Sequence, residues 1–325
     1  MWSTIAWLQK HLIWSIPLAM LLGFAVGQLV DASPLRLAIL PLTFLMVYPM
    51  MVTMNLRQLV RRGSGKLLWV TQLINFVVVP AIGYAAGLLF FPDQPFVRLA
   101  LLLTALLPTS GMTISWTGFA RGNMPAAVQM TVVGLLAGSL LAPLYLKGLL
   151  GTVIDIPLTS VFMQIVLIVF LPLLLGNLTQ RYLISKCGEQ NFNRDLKPKF
   201  PPVSTLGVLG VIFVSMALKS QDIVQQPQAL PGYLVPLLAV YLVNFAISTL
   251  IGKLFFERGD AIALVYGTVM RNLSIALAIA MGMFGKEGAD AALLIALAYI
   301  VQVQAAAWYV KLTSRIFGPP PLKAT

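Results

Sequence analysis

The chain is poor in charge and poorer still in the side chains that do covalent or acid–base chemistry. Only 10% of its 325 residues are charged, where a soluble domain carries roughly a quarter. A single cysteine, Cys187, excludes a disulfide framework or a cysteine-based metal site within one chain, and His11 is the sole histidine. The ten acids, Asp31, Asp93, Asp155, Glu189, Asp195, Asp222, Glu257, Asp260, Glu287 and Asp290, all fall in expected loops or at the ends of apolar runs. No carboxylate is therefore placed to relay protons or neutralise a cation at the middle of a membrane. Because the apolar runs hold no His, Cys, Asp or Glu, they offer no acid, base or metal ligand, which argues against an enzyme and implies no cofactor and no metal.

What the chain has instead is hydrocarbon. Hydrophobic residues make up 59% and the mean hydropathy is +0.89. A span needs roughly 20 apolar residues to cross the bilayer core. Runs of that length predict ten transmembrane helices at 12–30, 35–54, 67–91, 96–119, 124–146, 157–180, 202–218, 231–255, 260–284 and 290–313. Continuous runs such as Leu12–Val30 lack the two-residue alternation of a barrel strand, so the fold class is all-α integral membrane. Met1–Val30 is too long an apolar run for an ordinary cleaved leader and reads as a retained first span.

The net charge of +12 could suggest nucleic acid, but Lys and Arg cluster in short loops and form no single basic face, so the bilayer is the expected partner. With ten spans, only Arg36, Arg98, Lys147, Lys219 and Lys286 fall on the side opposite the termini. Most of the others, including Arg57, Arg61, Arg62 and Lys323, share the side of the termini. The positive-inside rule then predicts a multi-pass protein of the inner (plasma) membrane with both termini cytoplasmic.

The halves echo one another. VTMNLR (Val52–Arg57) ends span two as VSMALK (Val214–Lys219) ends span seven, and Asn75–Phe76 in span three recurs as Asn244–Phe245 in span eight. Five spans between equivalent positions give the halves opposite senses, the inverted-repeat arrangement of many secondary transporters. The boundaries read as repeat one over 1–150, with span six extending that block to 180, and repeat two over 151–325. The polar stretch Arg181–Phe200 reads as the loop that joins them.

Two segments carry the candidate site. In Leu107–Asn123, Pro108 and Gly111 interrupt a span, and helix breaks at membrane depth are tolerated only where protein or water satisfies the freed backbone groups. A half-helix starting near Ser110 would aim its amides at a cavity and favour negative charge. In Gly267–Gly282, Arg271 stands as the one charge inside a span, next to Asn272 and Ser274. Arg at helix centre costs at least roughly 2.5–3.5 kcal/mol, so it should face a cavity or partner dipoles. Its planar fork suits an oxyanion or carboxylate, or it takes the place of a cation by clamping backbone carbonyls; both readings stay open. Thr109, Ser110, Met112, Thr113, Arg271, Asn272 and Ser274 are the substrate-binding candidates. Thr113, Thr131, Asn75 and Asn244 are possible ion ligands, and Gln302 and Gln304 are further uncharged partners.

The segment Pro108–Asn123, ending in FARGN and followed by a span with Thr131 and Pro143, resembles the broken fourth helix of the bile acid:sodium symporter superfamily. LMVYPMMVTM (Leu45–Met54) and Arg271–Gly285 look more like its arsenite-efflux branch. The resemblance covers essentially the whole chain and implies two inverted five-helix repeats, with helices four and nine broken and crossing near the solute. The functional residues transfer only in part. Of the arsenite branch's Cys-x-x-Met-x-x-x-Trp, Met112 and Trp116 match while Thr109 replaces the thiol, and its Asn-x-Glu reads Asn272-Leu273-Ser274. Of the sodium-coupled members' ligands, Thr113 and Thr131 match, but Ile114, Ala127 and Gly267 stand where Asn, Ser and Glu would be, and Gln becomes Arg271. The expectation is a secondary transporter of a small anionic or oxygen-rich solute, working by alternating access and related to arsenite-efflux permeases. An arsenite or antimonite exporter, a sodium-coupled organic-anion symporter and a non-transporting sensor are the alternatives.

Overall fold

A computed structural model describes residues 2–54, 65–154, 156, 158–225, 229–284 and 288–319. Arg57, Arg61, Arg62, Asp155, Lys286, Glu287 and Lys323, used above to weigh the loops, lie outside the described residues. The chain is helical nearly throughout: α1 (Trp2–Lys10), α2 (Leu12–Leu29), α3 (Ile39–Thr53), α4 (Gly65–Phe90), α5 (Pro95–Leu106), α6 (Gly111–Phe119), α7 (Met124–Leu150), α8 (Leu158–Cys187), α9 (Phe200–Gln225), α10 (Ala229–Phe255), α11 (Arg258–Val269), α12 (Leu273–Phe284) and α13 (Gly288–Phe317). Among the described residues seven helices are long and apolar enough to cross a membrane. Large apolar side chains stand exposed along their outer faces, among them Leu21 on α2, Trp69 on α4 and Leu242 on α10. Such exposure is stable only against lipid, so this is an integral, multi-pass membrane protein.

The stretch Arg181–Phe200 departs from its expected form. It is no open loop: α8 continues to Cys187, and short helical turns over 189–199 lead straight into α9. Its polar residues sit at the rim of the bundle, where helical backbone pairs internally whatever the side chains are.

Prolines shape several helices. Pro80 lacks an N–H and its ring crowds the carbonyl four residues back, and α4 answers with a wider π-type turn over Ile74–Val78. The carbonyl so released is that of Phe76, and the Tyr145 hydroxyl of α7 donates to it. The same device recurs before Pro172, at Val166–Phe170 of α8.

Two helical groups pack side by side. Helices α2, α3, α8 and α9 form one, and α4 to α7 and α10 to α13 form the other. In the second group two membrane-deep helices are broken. Pro108 pushes Leu107 out of helical conformation, and Thr109 adopts a left-handed φ of 61°, a rare state for a β-branched residue. The break is seated on α7 at its glycines: a Cβ on Gly134 would stand 2.6 Å from Thr109 Oγ1, and one on Gly138 would stand 2.9 Å from Pro108 Cδ. The outer ends of the broken helices are tied as well. Arg258 donates to the carbonyls of Ala120, Arg121 and Gly318, and Asn123 Nδ2 donates to Asp260 Oδ1 at 2.6 Å.

The tight seat gives a contrast within one helix. Gly134→Ala is expected to lower the unfolding temperature in detergent, by about 1–3 kcal/mol of overpacking. Gly148→Ala, with nothing within 4 Å of the new methyl, should leave it unchanged or slightly raised.

Candidate functional site

The breaks in the two helices meet. Thr109 N–H donates to the Met270 carbonyl at 2.8 Å and Asn272 N–H donates to the Leu107 carbonyl at 2.7 Å, a two-strand antiparallel pairing only a few residues long. This pairing satisfies backbone groups that a break leaves orphaned in hydrocarbon. Gln302 of α13 completes it from the side, its Oε1 accepting the Arg271 N–H at 2.7 Å and its Nε2 donating to the Arg271 carbonyl at 3.3 Å. The Tyr241 hydroxyl holds Gln302 Oε1 in place at 2.9 Å.

On one side of the crossing lie two helix N-termini. Ser110 caps α6, its Oγ accepting from Met112 N–H while Thr113 Oγ1 accepts from Ser110 N–H in return. Asn272 caps α12, with Oδ1 accepting from Ile275 N–H at 3.3 Å. Both caps border a cavity of about 440 Å3 between the two helical groups, together with Gly111, Met112, Thr131 and Ser274. Ser274 shares a hydrogen bond with the Tyr299 hydroxyl, which also borders the cavity. The opposite wall is largely apolar, from Met46, Met50 and Val208, and Lys197 and Asn193 stand at the rim. Each N-terminus brings roughly half a positive charge to the floor.

On the other side lie two helix C-termini, and the Arg271 guanidinium sits among them, 2% exposed. Nε donates to the Thr104 carbonyl at 3.0 Å, Nη1 donates to Thr268 O at 2.8 Å and to Asn75 Oδ1 at 2.6 Å, and Nη2 donates to the Ala105 carbonyl. Arg271 is not among the residues that border the cavity. Neither are Thr109, Thr113, Asn75 or Asn244, all of which are buried. Asn75 Nδ2 donates to the Gly267 carbonyl at 2.9 Å and Asn244 Nδ2 to that of Thr268 at 3.0 Å, so two asparagines from α4 and α10 flank the end of α11.

The sequence pattern of the Sodium Bile acid symporter family matches residues 40–226. The chain belongs to this family. Similar relatives include the arsenical-resistance protein Acr3 of Corynebacterium glutamicum, 25% identical over 89% of this chain and 84% of the relative. Acr3 of Alkaliphilus metalliredigens is 25% identical over 69% of each, and sodium/bile acid cotransporter 7 of Danio rerio is 24% identical over 52% and 50%. The arsenical-resistance likeness noted in the sequence therefore extends over most of the chain, and a membrane transporter of the symporter family is what the chain is. Within this member of the family, reading the sequence alone missed Tyr299, Lys197 and the methionines of α3 as cavity residues. The methionines lie in the LMVYPMMVTM segment, which marked a resemblance without marking a cavity wall, and Tyr299 and Lys197 belong to no motif.

Gln302 gives the decisive mutation for the crossing. Gln302→Leu leaves the Arg271 amide and carbonyl unpaired, each costing about 1–3 kcal/mol when buried, so a marked fall in the unfolding temperature is expected. Gln304→Leu, two residues along and exposed, should unfold like the wild type.

Proposed function

We propose that the chain is a secondary transporter that carries an anionic or oxygen-rich solute with an apolar part, bound in the cavity between the two helical groups. The observation that carries this reading is the pair of capped helix N-termini, at Ser110 and Asn272, on the floor of that cavity. Donors at a helix start favour negative charge or oxygen, whereas the walls of Met46, Met50 and Val208 favour hydrocarbon. Ser110, Met112, Asn272 and Ser274 contact the solute in this reading. Thr109, Thr113, Asn75, Asn244 and Arg271 are positioning residues that hold the two helix starts at the floor.

In this reading the seven long helices are joined by α2 and the two broken pairs α5–α6 and α11–α12 to make ten crossings in two inverted repeats of five, each repeat contributing one broken helix; the helix order and the echo between the halves support it. Alternating access is then a displacement of the group that holds the crossing against the group of α2, α3, α8 and α9. Lys197, from the basic stretch Arg181–Phe200, borders the cavity, and by the positive-inside rule that side of the cavity faces the cytoplasm in this reading. Cys187 reports on that orientation because no other cysteine competes with it. A membrane-impermeant maleimide should label it in inside-out vesicles and leave it untouched in sealed cells.

Uptake into proteoliposomes tests the site. Ser110→Ala, Asn272→Ala and Ser274→Ala each remove one donor or acceptor from the floor, and a roughly three- to tenfold loss of apparent affinity is expected for the transported anion. Unchanged uptake in the triple variant would remove the cavity floor from the reading.

A second reading has a specific support. Two of the relatives are named for arsenical resistance, and five methionines, Met46, Met50, Met51, Met54 and Met112, border the cavity with polarisable sulfur. A metalloid in its neutral hydroxide form would meet the oxygens of Ser110, Asn272 and Ser274 at the floor and the methionine sulfurs on the wall. Expression in an arsenite-sensitive host decides between the two: resistance conferred by the wild type supports export of arsenite or antimonite, and a host left sensitive while the protein is present in its membrane supports the organic solute.

A further inference from the structure

We infer that the Arg271 guanidinium is a tethered cation filling an oxygen cage at the helix crossing, so that this member of a family named for sodium takes no alkali ion there. The cage is made of the carbonyl oxygens of Thr104, Ala105 and Thr268 and the amide oxygen Asn75 Oδ1, which together surround the guanidinium and accept from its three nitrogens. Its chemistry is that of a hard-cation site: neutral oxygen donors, no sulfur and no nitrogen acceptor. Its field is that of a cation site too. The C-termini of α5 and α11 converge on it, and two such ends bring roughly one unit of negative charge, which one guanidinium offsets. The guanidinium stays charged at any physiological pH, and four of its five N–H groups are spent on the four oxygens. An entering sodium ion would have to displace those bonds and remain beside the positive charge that made them.

The other side-chain oxygens that could serve an ion take part in hydrogen bonds of their own, Thr131 as a donor that keeps its lone pairs and Thr113 and Asn244 as acceptors. Thr131 Oγ1 donates to the Ala127 carbonyl at 2.7 Å, and Thr113 Oγ1 accepts from Ser110 N–H at 3.1 Å. Asn244 Oδ1 accepts from Ser248 Oγ at 3.2 Å, and Ser248 and Thr268 share a hydroxyl contact of 2.7 Å. No carboxylate belongs to this set. Sodium therefore does not fit the residues present, and nothing in the solute reading above passes through it. The inference rests on the crossing alone and is independent of which solute the cavity takes.

Thermal unfolding of the purified full-length protein in detergent, in sodium chloride and in choline chloride at matched ionic strength, tests it without measuring transport. The wild type should unfold at the same temperature in both salts. Arg271→Ala should unfold at a lower temperature in choline and recover several degrees in sodium, and guanidinium or methylguanidinium ion at low millimolar concentration should restore it similarly. Arg271→Lys, which keeps a charge but spans fewer acceptors, should be less stable than the wild type and still indifferent to sodium. A sodium-dependent shift in the wild type overturns the inference, as does an alanine variant indifferent to both sodium and guanidinium. Should Arg271→Ala fail to fold in choline, its recovery when either cation is present during extraction supports the inference. Failure in all of them, together with a sodium-indifferent Arg271→Gln, counts against it.

Discussion

The pairing of Leu107–Thr109 with Met270–Asn272 is the constraint on which the rest of the molecule depends. Two helices interrupted in hydrocarbon each expose carbonyls at one stump and amides at the other, and neither set can be left unpaired there. Laying the two short extended segments antiparallel satisfies four backbone groups directly and sorts the remaining ones by sign. Amide ends collect at the cavity, carbonyl ends collect on the far side, and a separation of charge across a few ångströms results. The guanidinium of Arg271 answers the carbonyl side, and the amide side borders the cavity. A basic residue and a cavity that it does not touch are thus parts of one electrostatic arrangement.

The first of these breaks was legible in the sequence because proline declares it. Pro108 has no N–H and restricts the residue before it, so an interruption near Leu107 follows from local chemistry alone. The second has no such sign. Met270, Arg271 and Asn272 include neither proline nor glycine, and they leave the helix because Gln302 and the opposing segment offer better partners than the helix does. That Arg271 needed partners was readable from its charge in an apolar run, but their identity was not. Backbone carbonyls belong to every residue and leave no trace in composition. Arg181–Phe200 illustrates the opposite error, where polarity suggested an open connection and the backbone kept its helical pairing through most of it.

Membership of the family fixes the scaffold more firmly than the chemistry. Relatives at about a quarter identity are named both for arsenical resistance and for sodium/bile acid cotransport, and one architecture evidently carries different solutes. Such variation needs few changes when the scaffold uses backbone groups for the constant part of the task. In this chain the pairing of the two breaks, made by backbone N–H and C=O groups, is work of that kind. The side chains facing the gap, methionines above all, can change size and polarisability without disturbing it.

The ties made by Arg258, Asn123 and Asp260 have a mechanical consequence. They fasten the end of α6 to the start of α11 and to the end of α13, while the pairing at Thr109 and Met270 fastens the opposite ends of these two half-helices. Held together at both ends, α6 and α11 form one stiff unit, and a strain placed on either half-helix is shared by the other.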